Sequence, residues 1–215
     1  MVDADVDDGH IRLLCADLDT EFTLLPTVIR DADIVWASAS IHHLADQQAA
    51  LDVLAQILRP GGRLALAEGG LSARHLPWDL GIGAPGLEAR LLAAEERWFL
   101  RMRARLPHAV RMPYGWTTAL RRAGLTDVTS QTFTFDKPAP LTGDDLSAVL
   151  ECLERRVRRV RDDAGLSVDD VRSWSRLLDS DDPAWLGRRD DIYSLQARTT
   201  YTGVRSERNS TEFRN

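Results

Sequence analysis

Short apolar runs and one amphipathic segment alternate in the first third of the chain. Runs at Ile11–Ala16, Asp33–Ser38 and Arg63–Glu68 have the length and the apolar content of strands. Between the last two, Gln47–Arg59 carries apolar residues at helical spacing on one face. Pro60-Gly61-Gly62 predicts the end of that helix, because proline cannot continue it. This order predicts a parallel βαβ unit whose strands are covered on both faces.

The rest of the chain adds helices and two more strands to this unit. The pattern favours one α/β domain with helical additions, and no internal repeat interrupts it. Thr142 and Ser167 are typical helix N-caps, each followed by acidic residues in the first turn. The predicted helices are Leu87–Leu106, Tyr114–Ala123, Leu141–Asp163 and Ser167–Leu178, and the predicted strands are Val128–Phe135 and Ile192–Thr202.

Composition describes an ordinary globular protein and narrows its partners. The 215 residues are 44% apolar and 28% charged, with a net charge of -6 that does not favour binding to nucleic acid. The acidic start does not resemble a signal peptide, and no apolar run is long enough for a membrane span, so we expect a cytoplasmic protein. Cys15 and Cys152 have no metal-ligand spacing, which favours reduced, mostly buried thiols and no metal site.

Three motifs give the chain a family resemblance. They are D-I-V-W-A-S-A-S-I-H-H-L at 33–44, L-R-P-G-G-R-L at 58–64 and L-R-R-A-G-L-T-D-V at 120–128. Together they resemble class I S-adenosylmethionine-dependent methyltransferases, most closely the actinobacterial enzymes that act on small molecules. The resemblance implies a Rossmann-like methyltransferase sheet with extra helices after the family's fifth and sixth strands. It also implies S-adenosyl-L-methionine as cofactor and a small-molecule acceptor.

The resemblance also implies cofactor-binding residues at the ends of two strands. Asp17 would accept a hydrogen bond from the adenine amino group, and the backbone N–H of Leu18 would face a ring nitrogen. Ser38 and Ala39 would lie beside the methionine part of the donor, and His43 would shape the cofactor pocket. From the residues alone, Asp17 could equally open a turn, and the small residues could form an ordinary loop.

His42 is the catalytic candidate, because a histidine can position a substrate or remove its proton near neutral pH. It could instead pack the loop against the following helix. No dedicated catalytic motif is expected, since methyl transfer from a sulfonium mainly requires alignment of the acceptor. The catalytic residues therefore stay unknown at this point.

The chain departs from the family pattern at its start. Gly9 is the only glycine before Asp17, so the glycine-rich first turn cannot be placed, and about 60 residues of the family domain have no counterpart. We therefore expect residues 1–203 to form a truncated, incomplete methyltransferase domain that lacks the first two strands. Its helical additions would span about 71–112 and 141–189, and 204–215 would be a disordered tail.

The missing turn leaves alternative functions open. The chain could bind the donor weakly or not at all, or it could be a degenerate methyltransferase-like interaction module without catalysis. A nicotinamide-dependent oxidoreductase is disfavoured, because its glycine fingerprint is missing too. The methylated atom and the oligomeric state are not indicated by any motif.

Two further features have competing interpretations. Glu151–Arg161 is rich in arginine, which is typical either of an anion site or of a solvated helix face, and nearby acidic residues favour the latter. Trp98, Phe99 and Trp174 could line a substrate pocket or pack in the core.

Overall fold

The computed structural model describes residues 2–5, 12–15, 21–162 and 165–207. The α/β class predicted from the sequence is confirmed, with six strands and six α-helices in the described residues. The strands are β1 (Val2–Asp5), β2 (Arg12–Cys15), β3 (Ala32–Ser38), β4 (Leu58–Arg74), β5 (Leu125–Lys137) and β6 (Ser194–Arg205). The helices are α1 (Leu25–Val28), α2 (Gln47–Ile57), α3 (Leu87–Ala104), α4 (Trp116–Arg122), α5 (Gly143–Val160) and α6 (Val168–Leu177).

The chain divides into two compact units. The first comprises residues 1–69, 106–131 and 199–215, and the second comprises 70–105 and 132–198. The segments predicted as helical additions, 71–112 and 141–189, fall mostly within the residue ranges of the second unit. The last strand continues to Arg205, two residues into the segment predicted as a tail, and residues 208–215 lie outside the described part.

The parallel pair predicted for the first unit is present. β3 and β4 run in parallel, with Ile34 opposite Arg63 and Ser38 opposite Ala67. Every residue of β4 from 64 to 68 is buried, as expected for an inner strand of the order β3-β4-β6-β5. α2 begins after Asp46, whose carboxylate accepts a hydrogen bond from the N–H of Ala49 at 2.9 Å.

The prediction that β3 would be covered on both faces is wrong. Val35 and Ala37 pack against the core of the first unit, whereas Ile34 and Trp36 on the opposite face are 67% and 59% exposed. Successive side chains of a strand point to opposite faces, so a run that is apolar throughout does not show which face is covered. Among the described residues β3 is an edge of the four-stranded sheet, which is consistent with this exposure.

The first predicted strand has a different partner from the one expected. β2 lies within the predicted Ile11–Ala16 run, but it pairs antiparallel with β1, from Val2 opposite Cys15 to Asp5 opposite Arg12. It forms a separate two-stranded sheet instead of joining the parallel pair. An apolar run predicts a strand but does not specify its partner, and antiparallel neighbours can pair across a short connection.

The strand predicted over Arg63–Glu68 is longer than expected and contains two glycines that follow that run. β4 continues through Gly69 and Gly70 to Arg74. Gly70 has φ of 110°, and a side chain there would collide with the backbone of Ala197. Glycine is therefore used at this position because another stretch of backbone approaches closely.

The second unit is built around α3, α5 and α6. Ser167 caps α6 as predicted, because its hydroxyl accepts a hydrogen bond from the N–H of Asp170 at 3.0 Å. Thr142 occupies the N-cap position of α5 but makes no capping side-chain bond. Trp174 is completely buried in the core of this unit, and Trp98 packs against it, so both favour the core interpretation. The core also contains Leu76, Leu87, Leu91, Leu153, Val160, Leu177, Leu186 and Ile192.

Candidate functional site

The candidate site is the loop that follows β3, at the carboxyl end of a parallel strand. Ser38 is the last residue of β3, and Ala39 turns the chain with φ of 48°. The N–H of Ala39 donates a hydrogen bond to the carbonyl oxygen of Ala67 on β4 at 3.0 Å. A short 3₁₀ turn, Ile41–His43, follows directly. Ligands of open α/β sheets bind at this kind of strand end.

Glu68 anchors this loop from the end of β4. Its side chain is only 1% exposed. One carboxylate oxygen, Oε1, accepts hydrogen bonds from the N–H groups of Ser40 at 3.0 Å and Ile41 at 2.9 Å. The other oxygen, Oε2, lies 2.6 Å from Nδ1 of His42. Because Ser38 lies opposite Ala67 in the parallel register, the residue after Ala67 is placed directly beneath this loop.

These hydrogen bonds keep Glu68 ionised. Burial by itself would raise the pKa of the Glu68 carboxyl, since a buried charge loses its hydration. The bonds from His42, Ser40 and Ile41 outweigh burial, and the pKa lies below its ordinary value. The site therefore contains a permanent buried negative charge at neutral pH.

The two histidines of the loop differ in their surroundings. His42 is partly exposed, with 31% of its side chain accessible, and it contacts Glu68. His43 is exposed, and its ring centroid lies 4.1 Å from that of His42 at an angle of 39°. The contact with a buried carboxylate distinguishes His42 as the histidine with defined chemistry.

Four of the six residues predicted for the site are brought together by one loop, namely Ser38, Ala39, His42 and His43. The other two, Asp17 and Leu18, lie outside the described residues. Glu68 was not predicted as a site residue, although the signal was available. An acidic residue ended an otherwise apolar strand, and parallel pairing with the 33–38 strand would have placed it beside the loop.

The second unit contains another buried carboxylate, Glu88 on α3. It accepts hydrogen bonds from the N–H groups of His75 and Leu76 at 3.1 to 3.2 Å. Arg156 of α5 reaches Glu88 at 3.4 Å and also binds Glu95 through two nitrogens at 2.9 to 3.1 Å. Arg156 is thus a buried structural residue within the arginine-rich segment, while its neighbours Arg155, Arg158 and Arg159 are exposed.

His75 lies beside this cluster and is almost completely buried. Its Nδ1 lies 3.3 Å from the carbonyl oxygen of Tyr193, and within the described chain its Nε2 has no hydrogen-bond partner. Burial lowers the pKa of His75 below its ordinary value, although the negative charge of Glu88 opposes this. His75 is therefore neutral at neutral pH.

Two other classes of site find no support in the described residues. No three histidine, cysteine, aspartate or glutamate side chains in this part of the chain come together to hold a metal ion. Among the helices described above, none has both the length and the apolar character needed to cross a membrane.

Comparison with known proteins finds a family match in the first part of the chain. Residues 3–66 match the family model of the methyltransferase domain. A stretch of 44 residues is 46% identical to the 27-O-demethylrifamycin SV methyltransferase of Amycolatopsis mediterranei, covering 20% of this chain. These matches confirm the resemblance to the class I S-adenosylmethionine-dependent methyltransferases. The chain spans 16% of the length of that curated relative.

Solved structures show more distant similarity. Phosphoethanolamine N-methyltransferase 2 of Haemonchus contortus is 14% identical, with 81% of this chain and 33% of that chain covered and a TM-score of 0.34. The YcgJ protein of Bacillus subtilis is 15% identical, with 83% and 66% covered and a TM-score of 0.37. These TM-scores are too low for the similarities to support a function.

Proposed function

We propose that this protein transfers a methyl group from S-adenosyl-L-methionine to a small molecule, and that the loop after β3 forms part of the donor site. One observation carries the proposal. A loop of small residues, Ser38-Ala39-Ser40, lies at the carboxyl end of a parallel strand and is fixed by a buried carboxylate. The family match over residues 3–66 includes this loop and supports the same activity.

The residues of the loop fit a bulky ligand that must approach the backbone. Ser38 and Ala39 have short side chains and are exposed, so a ligand can contact the main chain at this turn. We assign both to the methionine part of the donor and His43 to the edge of its pocket. Asp17 and Leu18 would hold the adenine, by family resemblance alone.

The chemistry divides simply between cofactor and protein. S-adenosyl-L-methionine supplies a methyl group that is already activated by the positive sulfur. The protein must bind the donor, orient the acceptor in line with the methyl carbon, exclude water and accept a proton where the acceptor carries one. A small-molecule acceptor is favoured, because the curated relative with 46% local identity is named for methylation of such a compound.

Donor binding can be measured directly on the full 215-residue chain by calorimetry with S-adenosylhomocysteine. We expect measurable binding. We also expect Ser38→Phe to weaken the affinity by about tenfold or more, because the phenyl ring would occupy the place of the donor. Ser130→Phe is the matched control, since Ser130 is also an exposed strand serine of the first unit and should leave affinity unchanged.

The affinity also separates the alternatives. A dissociation constant in the low-micromolar range would refute the alternative that the chain binds the donor weakly or not at all. Undetectable binding, with circular dichroism showing a folded chain, would contradict methyl transfer and favour an interaction module without catalysis. Equal loss in both variants would contradict the assignment of Ser38.

A further inference from the structure

We propose that the first unit carries a second ligand site, a cavity that binds a phosphate group through Arg122 and Arg205. The proposal goes beyond methyl transfer and does not rest on it. The cavity has a volume of about 390 Å³, which lies in the range of small-molecule sites. It is lined by the second half of α2, the ends of α4 and β6 and the start of β5, all of which belong to the first unit.

Arg205, the last residue of β6, is held in place by backbone groups. Its Nη1 donates hydrogen bonds to the carbonyl oxygen of Gln56 at 2.8 Å and to that of Leu58. These carbonyls lie at the end of α2, where the helix dipole favours a cation. In the part of the chain that the structure describes, Nε and Nη2 of Arg205 have no partner. The guanidinium is therefore oriented and still has donors available for a ligand.

Arg122, the last residue of α4, supplies the second cation. Its Cζ lies 4.0 Å from the centroid of the Tyr114 ring, which holds the guanidinium through a cation–π contact. Among the described residues, the Arg122 side chain has no hydrogen-bond or carboxylate partner, and it is exposed. A hydrogen bond of 3.3 Å from the hydroxyl of Thr126 to the carbonyl of Val204 joins the start of β5 to the end of β6. The segment that follows Arg122 is thus tied to the segment that carries Arg205.

The charges of the cavity favour an anion. Arg122 and Arg205 are its two cations, and Asp52 is the only acidic residue among the described residues that line it. Neither arginine has a carboxylate partner in the described residues, so the two positive charges are available to a ligand. Two guanidinium groups suit a phosphate, because its oxygens accept paired N–H groups.

Asp52 narrows the kind of phosphate. Its Oδ1 accepts a hydrogen bond from Nε2 of Gln48 at 2.8 Å, and its Oδ2 has no partner within the residues described above. A carboxylate has acceptor sites only, so Oδ2 can receive a ligand hydroxyl but repels a fully deprotonated anion. The ligand class is therefore a phosphate with a hydroxyl group beside it, either hydrogenphosphate itself or a phosphate ester of a polyol.

The cavity lies at the opposite end of the parallel strands from the loop after β3. Arg205 binds the carbonyl of Leu58, which pairs with Ala32 at the start of β3. Ser38 pairs with Ala67 at the other end. At about 3.3 Å per residue, β3 rises by about 20 Å between these pairs. A ligand in the cavity therefore does not occupy the place proposed for the methyl donor.

The two arginines could instead be structural only, with Arg205 capping α2 and Arg122 covering Tyr114. Calorimetric titration of the full chain with inorganic phosphate separates these roles, with ionic strength held constant by sodium chloride. We expect one bound ion per chain, and Arg122→Met should weaken the affinity by about tenfold or more. Arg121→Met is the matched control, because Arg121 is an exposed neighbour on α4 outside the cavity. Undetectable binding to the wild type, or equal effects of the two substitutions, would overturn the proposal.

The position of the bound ion is read by NMR of the nitrogen-labelled full chain. During the phosphate titration the amide signals of Gly124 and Leu125, which line the cavity, should shift. The amide signals of Ser38 and Ala39 should stay unchanged. Shifts at Ser38 and Ala39 without shifts at Gly124 and Leu125 would place the ion at the other end of the strands and overturn the proposal.

The role of Asp52 is tested with sulfate, which has the charge and shape of hydrogenphosphate but no hydroxyl. We expect the wild type to bind sulfate at least about tenfold more weakly than phosphate, and Asp52→Asn to reduce this difference because its amide can donate. Equal affinities in the wild type would overturn the role of Asp52. Glycerol 3-phosphate distinguishes the two sources. Binding at least as tight as that of phosphate assigns the site to an ester, and weaker binding assigns it to the free ion.

Discussion

Two buried glutamates, one in each unit, have the same hydrogen-bond pattern but different side-chain partners. Glu68 and Glu88 each accept two backbone N–H groups from the start of a neighbouring segment and one contact from a side chain. The partner of Glu68 is His42, whose side chain is 31% exposed. The partner of Glu88 is Arg156, whose side chain is 11% exposed and is bound by Glu95 as well.

The two partners indicate different roles for the two glutamates: Glu68 belongs to the candidate site, and Glu88 belongs to the structural core. Arginine is always charged, so Glu88 and Arg156 form a closed ion pair that cannot exchange a proton. A histidine ring, unlike an arginine, can give up or accept a proton at a ring nitrogen, and the partly exposed ring of His42 can meet a ligand. A buried carboxylate therefore does not by itself indicate function, and the chemistry and exposure of its partner decide.

The largest effect on stability is expected from removing Arg156, the buried partner of Glu88. Arg156→Met should lower the free energy of unfolding by about 3–5 kcal/mol, because it leaves Glu88 and Glu95 without their cation in a buried place. Urea unfolding of the full chain, followed by circular dichroism, measures the change. Arg155→Met on the same helix is the control and should cost less than about 0.5 kcal/mol, since that side chain is exposed. Similar losses for both variants would contradict a buried scaffold role.

The two glutamates should also respond differently to the same substitution. In Glu88 both oxygens accept N–H groups, so a glutamine must place its N–H2 against a donor, and Glu88→Gln should cost about 2–3 kcal/mol. In Glu68 one oxygen takes both backbone donors and the histidine can change tautomer, so Glu68→Gln should cost about 1 kcal/mol or less. Urea unfolding of the two variants under the same conditions measures both losses. A larger loss for Glu68→Gln than for Glu88→Gln would contradict the proposed difference between the two glutamates.

A pH dependence should arise from the scaffold cluster through His75. Its folded-state pKa is below the ordinary value of 6.5, so the unfolded chain binds the proton first as pH falls. Neutral His75 therefore makes its full contribution to the free energy of unfolding when the pH is above the unfolded-state pKa. That contribution is lost as the pH falls toward the folded-state pKa. As pH falls below about 7, the slope should reach at most about 1.4 kcal/mol per pH unit.

Unfolding of His75→Asn at several pH values should show a flatter profile over this range. The groups that face His75 in the described cluster are Glu88, Arg156 and Tyr193, and they remain in that variant. His108→Asn, at an exposed position, is the control and should keep the wild-type slope. An unchanged slope in His75→Asn would show that other groups cause the acid sensitivity.

The smallest effects on stability should come from substitutions at the helix N-caps. Each unit has one N-cap side chain that makes the same kind of hydrogen bond. Asp46 in the first unit and Ser167 in the second each bind the N–H of the third following residue. Replacement of either by alanine should cost about 1 kcal/mol. Thr142→Ala should cost only a few tenths of that, since Thr142 makes no capping bond. Thermal unfolding of the three variants ranks them, and a large loss at Thr142 would contradict the structure.

Periodicity was sufficient for most elements but not for their partners. The spacing of apolar residues predicted α2, α3, α5 and α6 and the parallel pair β3 and β4, because these segments are long or bury a defined face. It could not predict that β2 would pair with β1, or that one face of β3 would be exposed. Those features depend on tertiary contacts that a single segment does not encode.

The site was predicted only in part for a related reason. The loop from Ser38 to His43 was identified through its motif, whereas Glu68 is recognised once the register of two strands is known. Arg156 resembled its arginine neighbours in the sequence, yet it lies three residues after Leu153, on the apolar stripe of α5. A charged residue on an apolar stripe was the available signal for a buried ion pair.

Two of the six tryptophans, one in each unit, differ sharply in their exposure. Trp174 in the second unit is fully buried and, in the described part of the chain, its indole N–H has no hydrogen-bond acceptor. Trp36 in the first unit is 59% exposed. Emission from Trp174 should therefore lie at short wavelength and resist acrylamide, whereas emission from Trp36 should be quenched. A ligand that binds at the loop after β3, as proposed, should change the emission of Trp36, which lies two residues before Ser38 and is already reached by solvent.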